Sequence, residues 1–299
     1  MITSLDALLK EAKKKGSHKI AIVMAEDEVV LEAAALAKEE GIAKSILIGN
    51  KRIIENTAKS AKIDISEFEI LETEDEKSAI QKGINAIREG RAKILMKGQV
   101  STSVFLKGVL DKEQGLRTGR TLSHICVLEV STYHKLLFMT DGGMNLKPDL
   151  KTKIDILKNA IDFLKHLGIE KPKVAVLAAI ETVNPDMPET VEADALKKMA
   201  ERGEIKDAIV EGPLAFDLAV SKEAARQKKI ESKISGEVDI LLVPEIATGN
   251  IFAKGLIFLG KAKACGIVVG ASAPVVMLSR ADTKETKLYS MALGVMGSK

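Results

Sequence analysis

Short runs of aliphatic and β-branched residues alternate with longer segments whose apolar positions recur every three or four residues. In the first third of the chain this alternation repeats roughly every 25 residues. Runs too short for helices yet apolar throughout are strands covered on both faces, and the helical segments between them are the crossovers that cover them. The chain therefore predicts an α/β fold built on a parallel, doubly wound sheet. Residues 19–25, 45–49, 68–71 and 92–96 read as strands. Helices are expected over 27–40, capped by Asp27 and ended by Gly41, and over 75–89, ended by Gly90. Such sheets take their ligands beyond the carboxyl ends of the strands. The polar residues that follow each apolar run are thus the candidates for chemistry.

The pattern changes at Leu122. Two strand-like runs, 122–130 and 135–140, are separated only by Ser131, Thr132, Tyr133 and His134, too short for a crossover and suited to a hairpin. A second domain is read to begin here. Alternation then resumes with a helix over 149–167, a strand over 173–178, a helix over 188–201, a short strand over 208–210 and a helix over 214–225. A strand over 239–243, a glycine-interrupted helical stretch within 246–263, strands over 265–270 and 275–278 and a last helix over 283–294 complete the pass.

The chain has 299 residues, 46% of them hydrophobic, enough for a sizeable core in one large or two ordinary domains. Its formal net charge of +3 is too near balance to mark a nucleic-acid or membrane surface, so any selectivity for anions must be local. The amphipathic start, ending in Lys13, Lys14 and Lys15, has neither the apolar stretch nor the cleavage site of a signal peptide. Nowhere is there an apolar run of the roughly 18 residues that cross a bilayer. Cys126 and Cys265 cannot make a disulfide framework and read as small core residues. Together these features predict a cytoplasmic protein with no membrane or nucleic-acid partner. Absent Trp and 3% aromatics imply a core packed by aliphatic side chains.

Strand 92–96 delivers Lys97, Gly98, Gln99, Val100, Ser101, Thr102 and Ser103 into a helix start. Free amides, one cation and hydroxyls suit a phosphate; without a Walker pattern, the stretch reads equally as a capped loop. Arg117 and Arg120, in the turn 115–120, offer planar forks for phosphate or are plain surface arginines. Further polar turns follow later strands: 140–145 with Asp141 and Asn145, 181–188 with Asn184, 211–217 with Gly212, Pro213 and Asp217, and 244–250 with Gly249 and Asn250. Each alone is ordinary. Placed at corresponding strand ends, they would line one rim of the second sheet and face the first domain across a cleft.

The sharpest corner is Ser279, Arg280, Ala281 and Asp282, where an apolar run meets the last helix. As a site, Arg280 holds an anionic oxygen, Ser279 donates to an oxyanion and Asp282 accepts a proton or orients the nucleophile. As plain structure, Asp282 caps the final helix. The four histidines are not spaced with Cys, Asp or Glu as metal sites require, and neither G-x-S-x-G nor G-x-G-x-x-G occurs. Glu26, Asp27 and Glu28 after the first strand would repel a pyrophosphate, which argues against a dinucleotide.

In order, Leu95-Met-Lys-Gly98, Leu122-Ser-His124, Thr140-Asp-Gly-Gly-Met-Asn145, Val183-Asn-Pro-Asp-Met-Pro188, Gly212-Pro-Leu-Ala-Phe-Asp217, Gly249-Asn250 and Leu278-Ser-Arg-Ala-Asp282 resemble the motifs of the phosphate acetyl/butyryltransferase family, most nearly its butyryl branch. The resemblance spans nearly the whole chain. It implies two α/β/α domains of the isocitrate/isopropylmalate dehydrogenase-like type with a cleft between them. The chain's end returns to the first domain, giving 1–122 plus 273–299 as one and 123–272 as the other. The implied reaction is transfer of a butyryl or similar short-chain acyl group between coenzyme A and inorganic phosphate, run in reverse by direct attack of the CoA thiolate on acyl phosphate. CoA, acyl-CoA and phosphate are substrates, no metal or further cofactor is implied, and homodimers or larger homo-oligomers are the family's form.

By the same resemblance Ser279 and Arg280 serve the oxyanion, Arg120 and Lys97 the phosphate, and Gly98 and the motif residues of the second domain the substrates; Ser101 and Thr102 join them as the hydroxyls of the phosphate-suited helix start. The acetyl branch places its presumed base one helical turn beyond the Ser-Arg pair, where this chain has Glu285, Thr286 and Lys287, so the base is Asp282, Glu285 or neither. Gly142 and Gly143 stand where the butyryl branch more often has two alanines, removing two methyls from an expected pocket wall. The rival readings are a metal-dependent decarboxylating dehydrogenase of the same general fold and a non-catalytic CoA- or acyl-phosphate-binding protein.

Overall fold

The computed structural model describes residues 2–279 and 282–298. The chain forms two compact units, one made of Leu5–Arg120 with the chain from Cys265 on, the other of Thr121–Ala264 with the few residues before Leu5. The first unit begins with α1 (Leu5–Lys14), β1 (His18–Val23), α2 (Glu28–Glu39), β2 (Ala43–Gly49), α3 (Lys51–Ser60), β3 (Glu69–Glu72), α4 (Glu76–Arg88), β4 (Ile94–Lys97) and α5 (Thr102–Val109). The middle unit follows with β5 (Ser123–Glu129), β6 (Leu137–Thr140), α6 (Leu150–His166), β7 (Lys173–Leu177), α7 (Pro188–Glu201), β8 (Ile209–Leu214), α8 (Phe216–Val220), α9 (Lys222–Gln227), β9 (Ile240–Leu242) and α10 (Ile246–Lys254), which continues as a π-helical turn over Gly255–Leu259. Strand β10 (Lys263–Val269) carries the chain back, and β11 (Val275–Val276) and α11 (Lys284–Gly297) close it.

In the first unit the strands run in the order β3-β2-β1-β4-β11-β10. All are parallel except β10, which pairs antiparallel with β11. The carboxyl ends of β1, β2, β3, β4 and β11 therefore share one edge. Covering this sheet, α11 turns Leu288, Met291, Ala292, Leu293, Val295 and Met296 inward and packs against both α1 and α2. Short polar side chains start the helices: Asp27, the cap the sequence predicts, and Asn50, Asp75 and Ser101 each accept an amide hydrogen bond from the first turn. Gly41, at φ +69°, ends α2 in the left-handed region that a side chain resists.

In the middle unit the order is β5-β6-β9-β7-β8. The expected hairpin is the antiparallel pair β5 and β6; β6, β9, β7 and β8 are parallel. Its core is aliphatic, with Leu128, Leu137, Met139, Leu218, Ile234, Val238 and Leu241 buried together. Three expectations change. The strand read at 208–210 runs on to Leu214, carrying Pro213 in a terminal strand of the series, where a missing amide costs no ladder bond. The helix read over 214–225 is two helices, because Ser221 leaves helical geometry and caps the second through the amide of Ala224 at 3.1 Å. The final helix is capped by Thr283, not Asp282.

Leu241 is fully buried, midway between Met139 of β6 and Ala175 of β7. Leu241→Ala should cost about 3 kcal/mol through lost burial and the cavity left behind, read as a lowered midpoint in urea unfolding.

Candidate active site

At the carboxyl edge of the first unit's sheet, the ends of β1, β4 and β11 converge. A cavity of about 20 Å³ lies there, lined by Asp27, Lys97, Gly98, Gln99, Ser279 and Lys287 among others. That volume holds about one water molecule or one ligand oxygen. The wall depends on a close backbone approach: the Gly98 amide donates to the Val23 carbonyl at 2.8 Å and the Gln99 amide to the Met24 carbonyl at 2.7 Å. A Cβ at Gly98 would lie 2.2 Å from the Met24 oxygen, so no larger residue fits.

Lys97 is 6% exposed, and its ammonium donates to the carbonyls of Val100 at 3.0 Å and Gly98 at 3.3 Å. It ties down the turn that carries it as well as lining the cavity. Ser101 caps α5, accepting from the Val104 amide at 3.3 Å, and Ser101, Thr102 and Ser103 are exposed. Arg120 is exposed.

At the end of β11, the Asp282 carboxylate accepts the Ser279 amide at 2.7 Å, while the Asp282 amide donates to the Ser279 carbonyl at 3.2 Å. Asp282 thus folds the corner on which exposed Ser279 sits. Arg280 lies outside the described residues. Glu285 is exposed, and its own amide and the Thr283 hydroxyl hold its carboxyl below the usual range, which makes it a weak base. Sequence reading gave Lys287 no role. It is 4% exposed, donates to the Asp282 carbonyl at 2.7 Å, and burial pushes its ammonium below the ordinary lysine range against the attraction of Asp282 and Asp27. A lysine three residues into an otherwise ordinary helix carries no sequence signal of burial; only packing reveals it.

In the middle unit, β6, β7, β8 and β9 are parallel, so the loops that follow them share one edge, as the turn pattern predicts. Asp141, 2% exposed, is consumed by its own turn: its carboxylate accepts the amides of Gly143 and Met144 at 2.9 Å and Asn145 at 3.3 Å, and the Asn145 side-chain amide at 2.6 Å. Asn145 also donates to the Leu122 carbonyl at 2.9 Å. A Cβ on Gly249 would stand 2.7 Å from the Gly142 Cα, so α10 meets this turn backbone to backbone, and the Asn250 side chain reaches the Gly142 carbonyl at 3.5 Å. A Cβ on Gly143 would strike the His124 ring at 2.9 Å. Both glycines thus answer a packing demand.

The remaining motif residues shape their loops. The Asn184 carbonyl oxygen of the side chain accepts the Asp186 amide at 3.0 Å. Gly212 sits against Val176, and Pro213 is buried beside it. Asp217 pairs with Lys228 at 3.0 Å, which holds its carboxyl below the usual range. A larger open groove of about 630 Å³ in this unit, between Lys173, Lys222, Arg226 and Glu237, lies at the opposite, amino-terminal edge of the strands, since Lys173 begins β7 and Glu237 precedes β9. Among the described residues no group of three or more His, Cys, Asp and Glu is placed to hold a metal ion, and no helix is long and apolar enough to cross a membrane.

Comparison with known proteins gives this geometry a context. The family described as phosphate acetyl/butaryl transferase matches residues 4–85 and 76–295. The chain is 45% identical over 296 residues to the phosphate butyryltransferase of Clostridium acetobutylicum, covering 99% of this chain and 98% of that one. It is 41% identical over 291 residues to the phosphate acetyltransferase of Rhizobium meliloti, covering 97% and 92%. Among solved structures, a branched-chain phosphotransacylase from Enterococcus faecalis V583 superposes with a TM-score of 0.83 at 32% identity, over 94% of this chain and 98% of that one.

Replacing Asp141 by Ala strands a cluster of buried amide donors. The variant should lose roughly 3 kcal/mol or more in thermal or urea unfolding, whereas Asp217→Ala, at an exposed pair, should change stability by under about 1 kcal/mol.

Proposed function

The chain belongs to the phosphate acetyl/butyryltransferase family, and from that premise we propose that it moves a short-chain acyl group, butyryl or a near relative, between coenzyme A and inorganic phosphate. The reading rests above all on identity of 45% along the full length of a phosphate butyryltransferase. The site described above suits the chemistry. A phosphate oxygen attacks the thioester carbonyl, the tetrahedral oxyanion forms beside the Ser279 hydroxyl and Arg280, and the carbon–sulfur bond breaks to release the CoA thiolate. In reverse, the thiolate attacks the acyl phosphate carbonyl directly and phosphate leaves, with no acyl-enzyme. Asp282, bonded to the Ser279 amide, orients that serine and takes no proton.

Gly98 brings the β4 turn against β1, which supports a phosphate-binding role for Lys97, and the exposed hydroxyls of Ser101 and Thr102 belong to the same proposal. CoA and phosphate are the only small molecules this reaction needs. The isocitrate/isopropylmalate dehydrogenase-like arrangement, with substrates taken in a cleft, belongs to the same proposal and rests on the family resemblance.

Incubation of the protein with butyryl-CoA and phosphate should release free thiol, followed with a chromogenic disulfide reagent, and EDTA should leave the rate unchanged. No release from acetyl-, butyryl- or isobutyryl-CoA would sink the acyl-transfer reading, and loss of activity in EDTA would favour a metal-dependent enzyme. Ser279→Ala and Arg280→Gln should each lower kcat about 100-fold while the far-UV spectrum and melting temperature hold.

A further inference from the structure

The cavity at the edge of the first unit holds a cation for which neither the sequence nor the family resemblance supplies a role. Lys287, in the first turn of α11, is 4% exposed and lines the cavity beside Ser279 and Lys97. An ammonium carries three donors. Among the described residues, Lys287 has one hydrogen-bond acceptor, the Asp282 carbonyl at 2.7 Å. Lys97, by contrast, is tied to the carbonyls of Gly98 and Val100.

Two buried lysines thus face one slot the size of a single oxygen atom. The charged groups around Lys287 are Asp282 on the preceding corner, Asp27 at the start of α2, Lys97 at the end of β4, and Lys284 and Glu285 on its own helix. Of these, Lys284 is drawn off to Glu32 of α2 at 3.4 Å, and Glu285 is exposed. Asp27 spends one carboxylate oxygen on the Val30 amide at 3.0 Å. No carboxylate makes a salt bridge to Lys287 among the described residues; Asp282 and Asp27 attract it from beyond ion-pair distance.

We propose that Lys287 is the phosphate-holding cation of this site, receiving one terminal oxygen of inorganic phosphate, or of the acyl phosphate's phosphoryl group, in the slot beside Ser279. The assignment rests on the acyl-transfer reading for its substrate and on the cavity for its geometry. An isolated buried ammonium is costly, and an arriving dianion removes that cost. Burial lowers the proton affinity of this amine, and a bound anion raises it. Phosphate binding therefore draws a proton onto Lys287, and affinity for phosphate falls as pH rises through the lowered lysine value. Lys287 contributes to ground-state binding of phosphate, whereas Ser279 serves the oxyanion that forms later.

The test is calorimetry of inorganic phosphate binding to the wild-type protein in two buffers of different ionisation enthalpy, between about pH 8 and 9.5, where phosphate itself stays a dianion. Proton uptake that grows with pH is expected, and its absence overturns the proposal. Lys287→Met, which keeps the stem and removes the charge, should abolish that uptake and raise the KM for phosphate at least tenfold, leaving the KM for butyryl-CoA within about twofold. A variant with wild-type KM for phosphate and a lowered kcat would place Lys287 at the transition state and overturn the assignment. Should the variant not fold, the wild-type calorimetry decides alone. Absence of thiol release by wild-type protein would sink the acyl-transfer reading, while the phosphate calorimetry would still decide the lysine.

Discussion

The contact between the Gly98 amide and the Val23 carbonyl is the constraint on which the candidate site turns. It continues the β1–β4 pairing one residue past the strand and brings the two chain segments closer than any Cβ allows. Because the approach is that close, Lys97 is buried at the rim, and the loop behind it must satisfy an ammonium with the carbonyls of Gly98 and Val100. The same approach brings Asp27 and Gln99 to the wall of one cavity with Ser279. Parallel register does the rest: β1, β4 and β11 end on the same edge, so three segments far apart in sequence deliver their polar residues together.

A second close approach organises the middle unit. Gly142 and Gly249 meet backbone to backbone, and the turn between Asp141 and Asn145 is held by a carboxylate that accepts several amides at once. Asp282 does the same on a smaller scale for Ser279. In both places a carboxylate that looks reactive in sequence is used to fix backbone. Acidic side chains at strand ends are strong acceptors, and unsatisfied amides in a tight turn are the nearest donors.

This explains what was legible in the chain and what was not. Apolar periodicity gave the parallel strands, their helices and the antiparallel hairpin at β5 and β6, because burial on two faces leaves a plain mark in composition. Strand ends then pointed to Lys97, Gly98 and Ser279 at the carboxyl edge of the first unit's sheet and to Asp141 and Gly249 at that of the middle unit's. The boundary at Ser221 carried a signal, a capping serine inside a helical pattern, yet its apolar neighbours read through it. Pro213 looked like a strand's end because proline removes a ladder donor, and only its position last in the series makes it tolerable. Roles were less legible than places. Whether a carboxylate holds backbone or takes a proton depends on distances of about an ångström, which residue spacing does not encode, and the burial of Lys287 depends on how α11 lies against its neighbours.

The chemistry clarifies why cations matter more here than a base. When inorganic phosphate attacks a thioester, the monoprotonated dianion brings both the nucleophilic oxygen and a proton that the departing thiolate can take up. In sum, the hydroxyl proton of phosphate becomes the thiol proton of CoA, and no group on the protein need gain or lose one. With a thiol pKa of about 8.5, the thiolate is a weak enough base to leave before it is protonated. What water cannot offer is a fixed place for concentrated negative charge, on the phosphate first and on the carbonyl oxygen after attack. A carboxylate poised as base beside that charge would repel it. In the first unit Asp282 is turned to an amide and Glu285 to solvent, Asp27 lines the cavity with one oxygen held by the Val30 amide, and Lys97 and Lys287 are carried inward. Burying two ammonium groups at one cavity is costly on its own, and an anionic oxygen bound there, as proposed, offsets that cost.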